Sequence, residues 1–318
     1  MARILLVKTS SMGDVVHNLP VASDIAAADP GAEVHWVVEE TFAAIPRLHP
    51  AVARVLPVAI RRWRASFWRA ATRAEVRAFL RGLRETRYDA VVDTQGLLKS
   101  ALIARAARGV RSGLDAKSAR EPLALFYDRT FAVPWTLHAV ERNRTLASRA
   151  LGYAPRPQVD YGIRAPRRSF AWLGERRYAV LLHSSSARSK LWPEASWVEL
   201  ARRLAARGLA CVLPWGSSEE RARSERIARA VPGALVAPAL ELAEAASLLA
   251  HAQAAAGVDS GLTHLAGALG VPTLGLYCAT EPAATGLYGC ARAVNLGGIG
   301  RVPGADEAWR ALERLLGV

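Results

Sequence analysis

At 318 residues the chain exceeds one core of ordinary size, and a prior of about 150 residues per domain predicts two. Hydrophobic residues make up 51% and charged residues 22%, with 24 Gly and 17 Pro spread along the chain. That excludes a disordered tail, a collagen-like chain and a small disulfide scaffold. The net charge is +14, and only Lys8, Lys99, Lys117 and Lys190 are lysines. Residues 54–87 hold ten arginines against Glu75 and Glu85, so this stretch supplies +8 of the total. Such a patch attracts nucleic acid, anionic head groups or a polyanionic substrate, and charge alone does not choose among them.

In chain order, the first apolar run ends at Lys8 after four residues and reads as a buried strand over 3–7, not a signal peptide. A helix bent at Pro20 is predicted over 15–28. Strands follow at 34–38, 52–57 and 90–93, then a helix at 97–107. Residues 152–177 hold Pro155, Pro157 and Pro166 with no period and read as a linker. Beyond it, strands at 178–183, 209–214, 254–258 and 273–277 alternate with helices near 196–207, 219–230, 240–251 and 261–269. Continuous apolar strands separated by helices imply parallel sheets covered on both faces. The expected fold is therefore α/β, with two Rossmann-like doubly wound domains (1–155 and 178–318, linker 156–177) facing a central cleft. The stretch 239–258 carries Glu241, Glu244 and His251, so no bilayer span is expected. Cys211, Cys278 and Cys290 form no CxxC or CxxH pattern and read as reduced cytoplasmic thiols.

Three strand ends carry candidate chemistry. Lys8-Thr9-Ser10-Ser11-Met12-Gly13-Asp14 runs from a strand into a helix, where small hydroxyls and Gly place donors around an anion. It contains neither GxxxxGK[ST] nor GxGxxG. Asp14 reads either as a helix N-cap carboxylate or as a general base at a strand end. Val258-Asp259-Ser260-Gly261-Leu262-Thr263-His264 ends a strand in Asp and starts a helix at Gly261; those N–H groups suit a phosphate, and Asp259 suits sugar hydroxyls. The bland alternative is a capping Asp with a core His one turn on. Between them, His183-Ser184-Ser185-Ser186-Ala187-Arg188-Ser189-Lys190 spills hydroxyls and a lysine after a strand, as a diphosphate loop does. Glu220, beyond Pro214-Trp215-Gly216, either holds ribose hydroxyls or is a first-turn acid. Arg61-Arg62-Trp63-Arg64 with Phe67 and Trp68 mixes cations and aromatics, which suits stacking or a membrane surface better than a solvated helix face. No HExxH or Cys/His cluster supports zinc.

Taken together, Val7 to Val15, Val58-Ala59-Ile60-Arg61-Arg62-Trp63-Arg64, Asp93-Thr94-Gln95-Gly96-Leu97-Leu98-Lys99-Ser100, Ala119-Arg120-Glu121-Pro122-Leu123 and the run from Asp259 to His264 resemble the inverting, GT-B-fold family of ADP-heptose glycosyltransferases. The resemblance covers nearly the whole chain in order. It implies transfer of heptose from ADP-heptose to the inner Kdo of Kdo2-lipid A in lipopolysaccharide inner-core synthesis. The implied setting is the cytoplasmic side of the inner membrane, with peripheral attachment, no nucleic-acid partner, no metal or other cofactor, and no oligomeric state specified. By family pattern Asp14 is the general base. Ser185, Ser186 and Lys190 would contact donor phosphates, Glu220 the ribose, and Asp259, Ser260, Gly261, Leu262 and His264 the heptose and diphosphate. Ser10, Ser11, Gly13, Arg61, Arg62, Arg64, Lys99 and Arg120 would face the acceptor. The runs at 9–14 and 60–64 point to the first heptose transfer; the alternatives are the second transfer, onto a heptosylated acceptor, and a basic nucleic-acid-binding protein, although no helix-turn-helix, RRM or KH signature is present. The chain departs from the family in the loop 184–189, where paired threonines and acids are usual, and at Cys278-Ala279-Thr280, where Gly-Pro-Thr is usual.

Overall fold

The computed structural model describes residues 1–317, which divide into two compact units, Met1–Gly162 and Ile163 onward. The first unit runs β1 (Arg3–Val7), α1 (Met12–Val16), α2 (Leu19–Ala28), β2 (Glu33–Glu39), α3 (Ala44–Arg47), β3 (Val52–Val58), α4 (Ile60–Ser66), α5 (Ala70–Glu85), β4 (Arg87–Asp93), α6 (Leu98–Ala106), β5 (Arg108–Leu114), β6 (Arg129–Phe131) and α7 (Ala139–Leu151). The second runs β7 (Tyr178–Leu182), α8 (Glu194–Ala206), β8 (Ala210–Leu213), α9 (Ser218–Arg229), β9 (Leu235–Val236), α10 (Leu242–Ala250), β10 (Ala254–Val258), α11 (Gly261–Ala268), β11 (Thr273–Tyr277), α12 (Pro282–Thr285), β12 (Ala293–Gly297) and α13 (Ala305–Leu316). Each unit holds a six-stranded sheet, ordered β3-β2-β1-β4-β5-β6 and β12-β11-β10-β7-β8-β9, with every pairing parallel. Counted from its own first strand, each follows the doubly wound order 3-2-1-4-5-6, so its strand order reverses beside that first strand.

The apolar runs sit at the sheet centres because those strands are covered on both faces. Leu5, Leu6 and Val7 of β1 are fully buried, as are the residues of β10 and β11. β10 is built of small residues because α11 lies close against it. A Cβ on Gly257 would stand 2.1 Å from Thr263 Oγ1 and 2.9 Å from Leu182 Cβ. In the second core Trp192 and Trp197 meet edge to face at 5.0 Å, beneath Ala308, Ala311 and Leu312 of α13.

The bent helix expected over 15–28 is instead two helices, broken at His17-Asn18, with Pro20 in the first turn of the second. Proline is accommodated there because a first-turn N–H has no intrahelical partner to lose. The sequence pattern does not predict the strands β5, β6, β9 and β12 or the helices α3, α5, α7, α12 and α13. α7 is tied in by charge: buried Arg144 donates from Nε to Asp24 Oδ2 at 2.7 Å and from Nη2 to Asp24 Oδ1 at 3.0 Å, clamping α7 to α2. Buried ion pairs of this kind hold geometry more than they add stability, but losing one partner strands the other.

Two buried histidines should make the fold acid-sensitive. His49 Nδ1 accepts the Ala51 N–H at 3.1 Å, so Nε2 carries the proton toward Ser23 Oγ at 2.9 Å. His183 lies between Ser224 Oγ, 2.7 Å from Nε2, and Ser184 Oγ, 2.9 Å from Nδ1. Burial pushes both rings down from 6.5 to about 4. A depressed folded-state pKa means the neutral ring's contribution is complete above the unfolded value and is lost as pH falls through the folded one. Stability should therefore drop between pH 6.5 and 4, by on the order of 3 kcal/mol per histidine. Denaturant unfolding at pH about 7.5 and about 4.5 measures the drop, and His49→Gln with His183→Gln should flatten it; an unchanged slope in that double variant removes the assignment.

Candidate active site

In an open parallel sheet the loops at the carboxyl ends of the strands flanking the order reversal form the ligand crevice. In the first unit those strands are β1 and β4. Lys8, directly after β1, is buried and donates to the Thr94 carbonyl at 2.8 Å and to Asn143 Oδ1 at 3.2 Å. Burial lowers its pKa, opposed by Asp14 and Asp93, while Arg142 and Arg120 add to the lowering. Gln95 Oε1 accepts the N–H groups of Thr9 and Ser10, each at 3.0 Å, and so pins the post-β1 loop to the post-β4 loop. Asp93 is buried beneath them and accepts the Tyr127 hydroxyl at 2.7 Å and the Gln95 N–H at 2.9 Å.

Ser11, not Asp14, is the N-cap of α1. Asp14 stands at N3 and accepts the Ser11 N–H at 2.7 Å and the Ser11 hydroxyl at 2.9 Å, both on Oδ2. The cap reading of Asp14 is thus corrected by one turn: the helix starts at Met12 and Gly13 falls within its first turn, which gives Asp14 the reciprocal carboxylate role of a capping box. Among the described residues, its other oxygen, Oδ1, takes no hydrogen bond. Lys99 donates to Ser10 Oγ at 2.6 Å. Burial lowers the Lys99 pKa, with Glu39 and Asp14 opposing and Arg61 and Arg64 reinforcing. Lys99, Asp14, Arg61 and Arg64 therefore share one electrostatic neighbourhood.

Glu39, a buried carboxylate ending β2, accepts the N–H groups of Ile60 and Arg61 at 3.3 Å each and so sets the start of α4. On α4, Arg62 is engaged by Glu40 at 3.1 Å and Glu75 at 2.7 Å, whereas Arg61 and Arg64 are exposed and form no ion pair among the described residues. Arg120 and Arg142 both lie over the Trp135 ring, at 5.5 and 3.5 Å from its centroid.

In the second unit the reversal lies between β7 and β10, and its hub is Asp259. Oδ2 accepts Lys190 Nζ at 2.6 Å and Thr280 Oγ1 at 2.8 Å. Oδ1 accepts His264 Nε2 at 3.2 Å, and the Asp259 carbonyl accepts Ser185 Oγ at 3.0 Å. Burial works against the charge, but hydrogen bonds from His264, Lys190 and Thr280 outweigh it and hold the carboxyl well below the usual range. Ser260 is the N-cap of α11, and the N–H groups of Gly261 and Leu262 lie in its first turn, where a helix leaves donors without intrahelical acceptors. Ser186 is exposed in the preceding loop. Glu220 stands at N3 of α9, accepting the Gly216 N–H at 2.6 Å and donating its own N–H to Ser217 Oγ at 3.2 Å.

The structure thus gathers Ser185, Lys190, Asp259 and His264 into one hydrogen-bonded set and adds Thr280 to it. It also brings Gln95, Glu39, Arg142 and Trp135 to the first cluster, none of which had been given a role. A carboxylate directly ending a buried strand was the available signal for Glu39. Among the described residues, no group of three or more His, Cys, Asp or Glu is arranged to hold a metal ion.

Residues 76–306 match glycosyltransferase family 9 (heptosyltransferase). The chain is 51% identical over 298 residues to lipopolysaccharide heptosyltransferase 1 of Pseudomonas aeruginosa, covering 93% of this chain and 83% of that protein. It is 46% identical over 290 residues to lipopolysaccharide heptosyltransferase 1 of Escherichia coli K12, covering 90% and 91%. Among solved structures it is similar to the E. coli heptosyltransferase WaaC with ADP, at TM-score 0.90 and 42% identity over 98% of this chain and 99% of that one. The same enzyme with ADP-2-deoxy-2-fluoro heptose gives TM-score 0.85 and 40% identity over 99% of each. With both sheets in doubly wound order and both switch points built as described, the chain belongs to glycosyltransferase family 9, the heptosyltransferases, and is a glycosyltransferase of the GT-B fold.

Proposed function

We propose that this enzyme transfers L-glycero-D-manno-heptose from ADP-heptose to the 5-hydroxyl of the inner Kdo of Kdo2-lipid A, with inversion, as a step in lipopolysaccharide inner-core synthesis. The observation that carries the reading is the Asp259 set: a buried carboxylate, a lysine, a histidine and a helix start converge at the switch point of the second sheet. The donor identity is supported by the relatives whose structures hold ADP and a fluorinated ADP-heptose. The acceptor is supported by the name heptosyltransferase 1 on relatives aligned over nine-tenths of the chain. It is supported too by unpaired cations beside Asp14, which suit the phosphates and Kdo carboxylates of a polyanionic lipid. Among the described residues no helix is long and apolar enough to cross a membrane; the reading places the enzyme peripherally, on the cytoplasmic side of the inner membrane.

In this mechanism Asp14 takes the proton of the acceptor hydroxyl as the new C–O bond forms. A sugar hydroxyl is too weak an acid to ionise unaided near neutral pH, so a positioned base is required. Oδ2 is held by Ser11, which fixes the carboxylate and leaves Oδ1 to accept the proton. Inversion follows from a single displacement with no covalent intermediate. ADP leaves with its charge met by Lys190 and the first turn of α11. An ammonium carries three donors, so Lys190 can stay on Asp259 and still reach a phosphate oxygen. Ser185 and Ser186 add hydroxyls to the diphosphate, Ser260 and His264 line the heptose side, and Glu220 receives the ribose. On this reading neither a metal nor another cofactor takes part. On the acceptor side, Lys99, Arg61, Arg64 and Arg120 supply charge, Ser10 and Ser11 shape the loop with Gly13 in the first turn of α1, and Arg62 orients α4 through Glu40 and Glu75.

The direct test is incubation with ADP-heptose and Kdo2-lipid A, with a product one heptose heavier expected by mass spectrometry; no added mass on this acceptor rejects the reading. Asp14→Asn should lose about 10²–10⁴-fold in kcat while keeping ADP affinity and Tm, since Asn still accepts the Ser11 N–H. Near-normal turnover would leave Asp14 only its capping role. By calorimetry, Lys190→Ala should weaken ADP binding at least tenfold, because charge-assisted contacts are worth roughly 1.5–3 kcal/mol; intact ADP affinity would make the lysine structural. Combined Arg61→Ala and Arg64→Ala should raise the acceptor KM at least tenfold with ADP affinity unchanged. An unaltered acceptor KM would return those residues to the solvated surface.

A further inference from the structure

The arginine-rich stretch contains a feature that the proposed reaction does not use. On α5, Arg73, Arg77, Arg81 and Arg84 recur at spacings of four, four and three and so share one helix face. The opposite face turns Thr72 and Leu83 into the interior, with Phe79 packed against the core. Among the described residues, none of these four arginines has a carboxylate partner. At the head of the row the chain turns between α4 and α5, and the turn is pinned. Arg73 Nη1 donates to the carbonyl of Trp68 and, at 3.4 Å, to that of Phe67. Ser66 Oγ donates to the Arg62 carbonyl at 2.9 Å and lies 3.0 Å from Thr72 Oγ1. At this pinned turn Phe67 is 56% and Trp68 70% exposed. The bias extends across the molecule: of the ten large apolar side chains exposed among the described residues, eight lie in the first unit.

We propose that the α4–α5 turn is a membrane wedge. Phe67 and Trp68 enter the boundary between head groups and acyl chains, while the arginine row of α5 lies on anionic head groups. The proposal rests on the reading of a membrane-borne acceptor and adds the device that brings the enzyme to it. Charge complementarity selects the occupant: a face of guanidiniums with no carboxylate partner among the described residues, Arg73 and Arg84 bonding only backbone carbonyls, calls for a surface dense in phosphate, and two adjacent aromatics at its tip call for an apolar layer beneath that surface. Aromatic rings with one polar edge, tryptophan above all, favour that interface. Wedge and row act together, because a weak apolar insertion and a weak electrostatic attraction hold a protein to a bilayer only in combination.

The test uses the full-length enzyme and vesicles of phosphatidylglycerol or of phosphatidylcholine, both without acceptor. Wild type should sediment with the anionic vesicles, poorly with the neutral ones, and be released near 1 M salt, where the screening length falls to about 3 Å. Phe67→Ser with Trp68→Ser should weaken that binding at least tenfold. Arg77→Gln with Arg81→Gln, a second variant that leaves the turn intact, should weaken it and flatten its salt dependence. The aromatic pair variant should keep transfer to a water-soluble deacylated Kdo acceptor within about twofold, yet lose at least tenfold on acceptor embedded in vesicles. Equal vesicle binding by wild type and both variants overturns the wedge. So does an oligonucleotide that displaces the vesicles and loses affinity in the same variants, which would make the face a nucleic-acid surface. If wild type binds vesicles through these residues but transfers heptose to neither acceptor, the wedge stands and the proposed reaction fails.

Discussion

A carboxylate taken out of water must collect its hydrogen bonds nearby or lose its charge, and Asp259 collects them from three separate segments. Lys190 reaches it from the loop after β7, His264 from within α11 and Thr280 from the residues after β11. Each of these donors thereby has its position set by one acceptor. The loop after β7 is further held where Ser185 donates to the Asp259 carbonyl. Below the hub, Gly257 keeps α11 close enough for Thr263 to donate to the Val258 carbonyl at 2.7 Å, which fixes the first turn of the helix beside the carboxylate. With its pKa held well below the usual range, the Asp259 carboxyl stays ionised throughout the physiological pH window.

The first unit solves a different electrostatic problem with the same topology. Its buried cation, Lys8, is satisfied by a carbonyl and an amide oxygen rather than by a carboxylate. The charges of Asp14 and Asp93 favour its protonated form, while those of Arg142 and Arg120 disfavour it. Here Asp14, in the first turn of α1, has one oxygen with no hydrogen bond among the described residues, and the surrounding cations outnumber the carboxylates. The second unit closes its charges on themselves; the first leaves them open. That contrast separates a self-satisfied polar cluster at one switch point from a basic surface with charge to spare at the other, which is the division of labour that the proposed function assigns to donor and acceptor.

How much of this was legible depended on whether a residue's partner was local. The central strands were readable because burial on both faces leaves a continuous apolar run, and the predicted ends of β1, β10 and β11 coincide with those observed. β5 was not, because packing demands glycine in it: a Cβ on Gly109 would stand 2.4 Å from the Tyr88 carbonyl oxygen, and one on Gly113 would stand 2.4 Å from the Tyr127 ring. Those glycines and two arginines erase the apolar signature of a strand whose last three residues are nonetheless buried. α7 was obscured in the same way. Its Asn143 and Arg144 look like surface residues, yet both are buried on partners more than a hundred positions away. The switch-point residues were legible as strand-end motifs; Glu39 offered only its place at a strand end, since its role depends on α4, and Arg142, whose role depends on Trp135, offered no signal.

Those distant contacts on α7 extend to the candidate base. Asn143 accepts from Lys8 and donates to the His17 carbonyl at 3.2 Å, so one side chain joins the end of β1 to the end of α1. Arg144, the next residue, locks the same helix to α2 through Asp24. The segment carrying Asp14 is therefore bracketed: its loop is held by Gln95 on one side, and its helix end is held by α7 on the other. A five-residue helix such as α1 has too few internal hydrogen bonds to hold a carboxylate in place by itself. Its orientation is supplied instead by a buried polar framework in which each of these side chains has a partner, and this holds an otherwise marginal turn, with the Asp14 carboxylate on it, in one place.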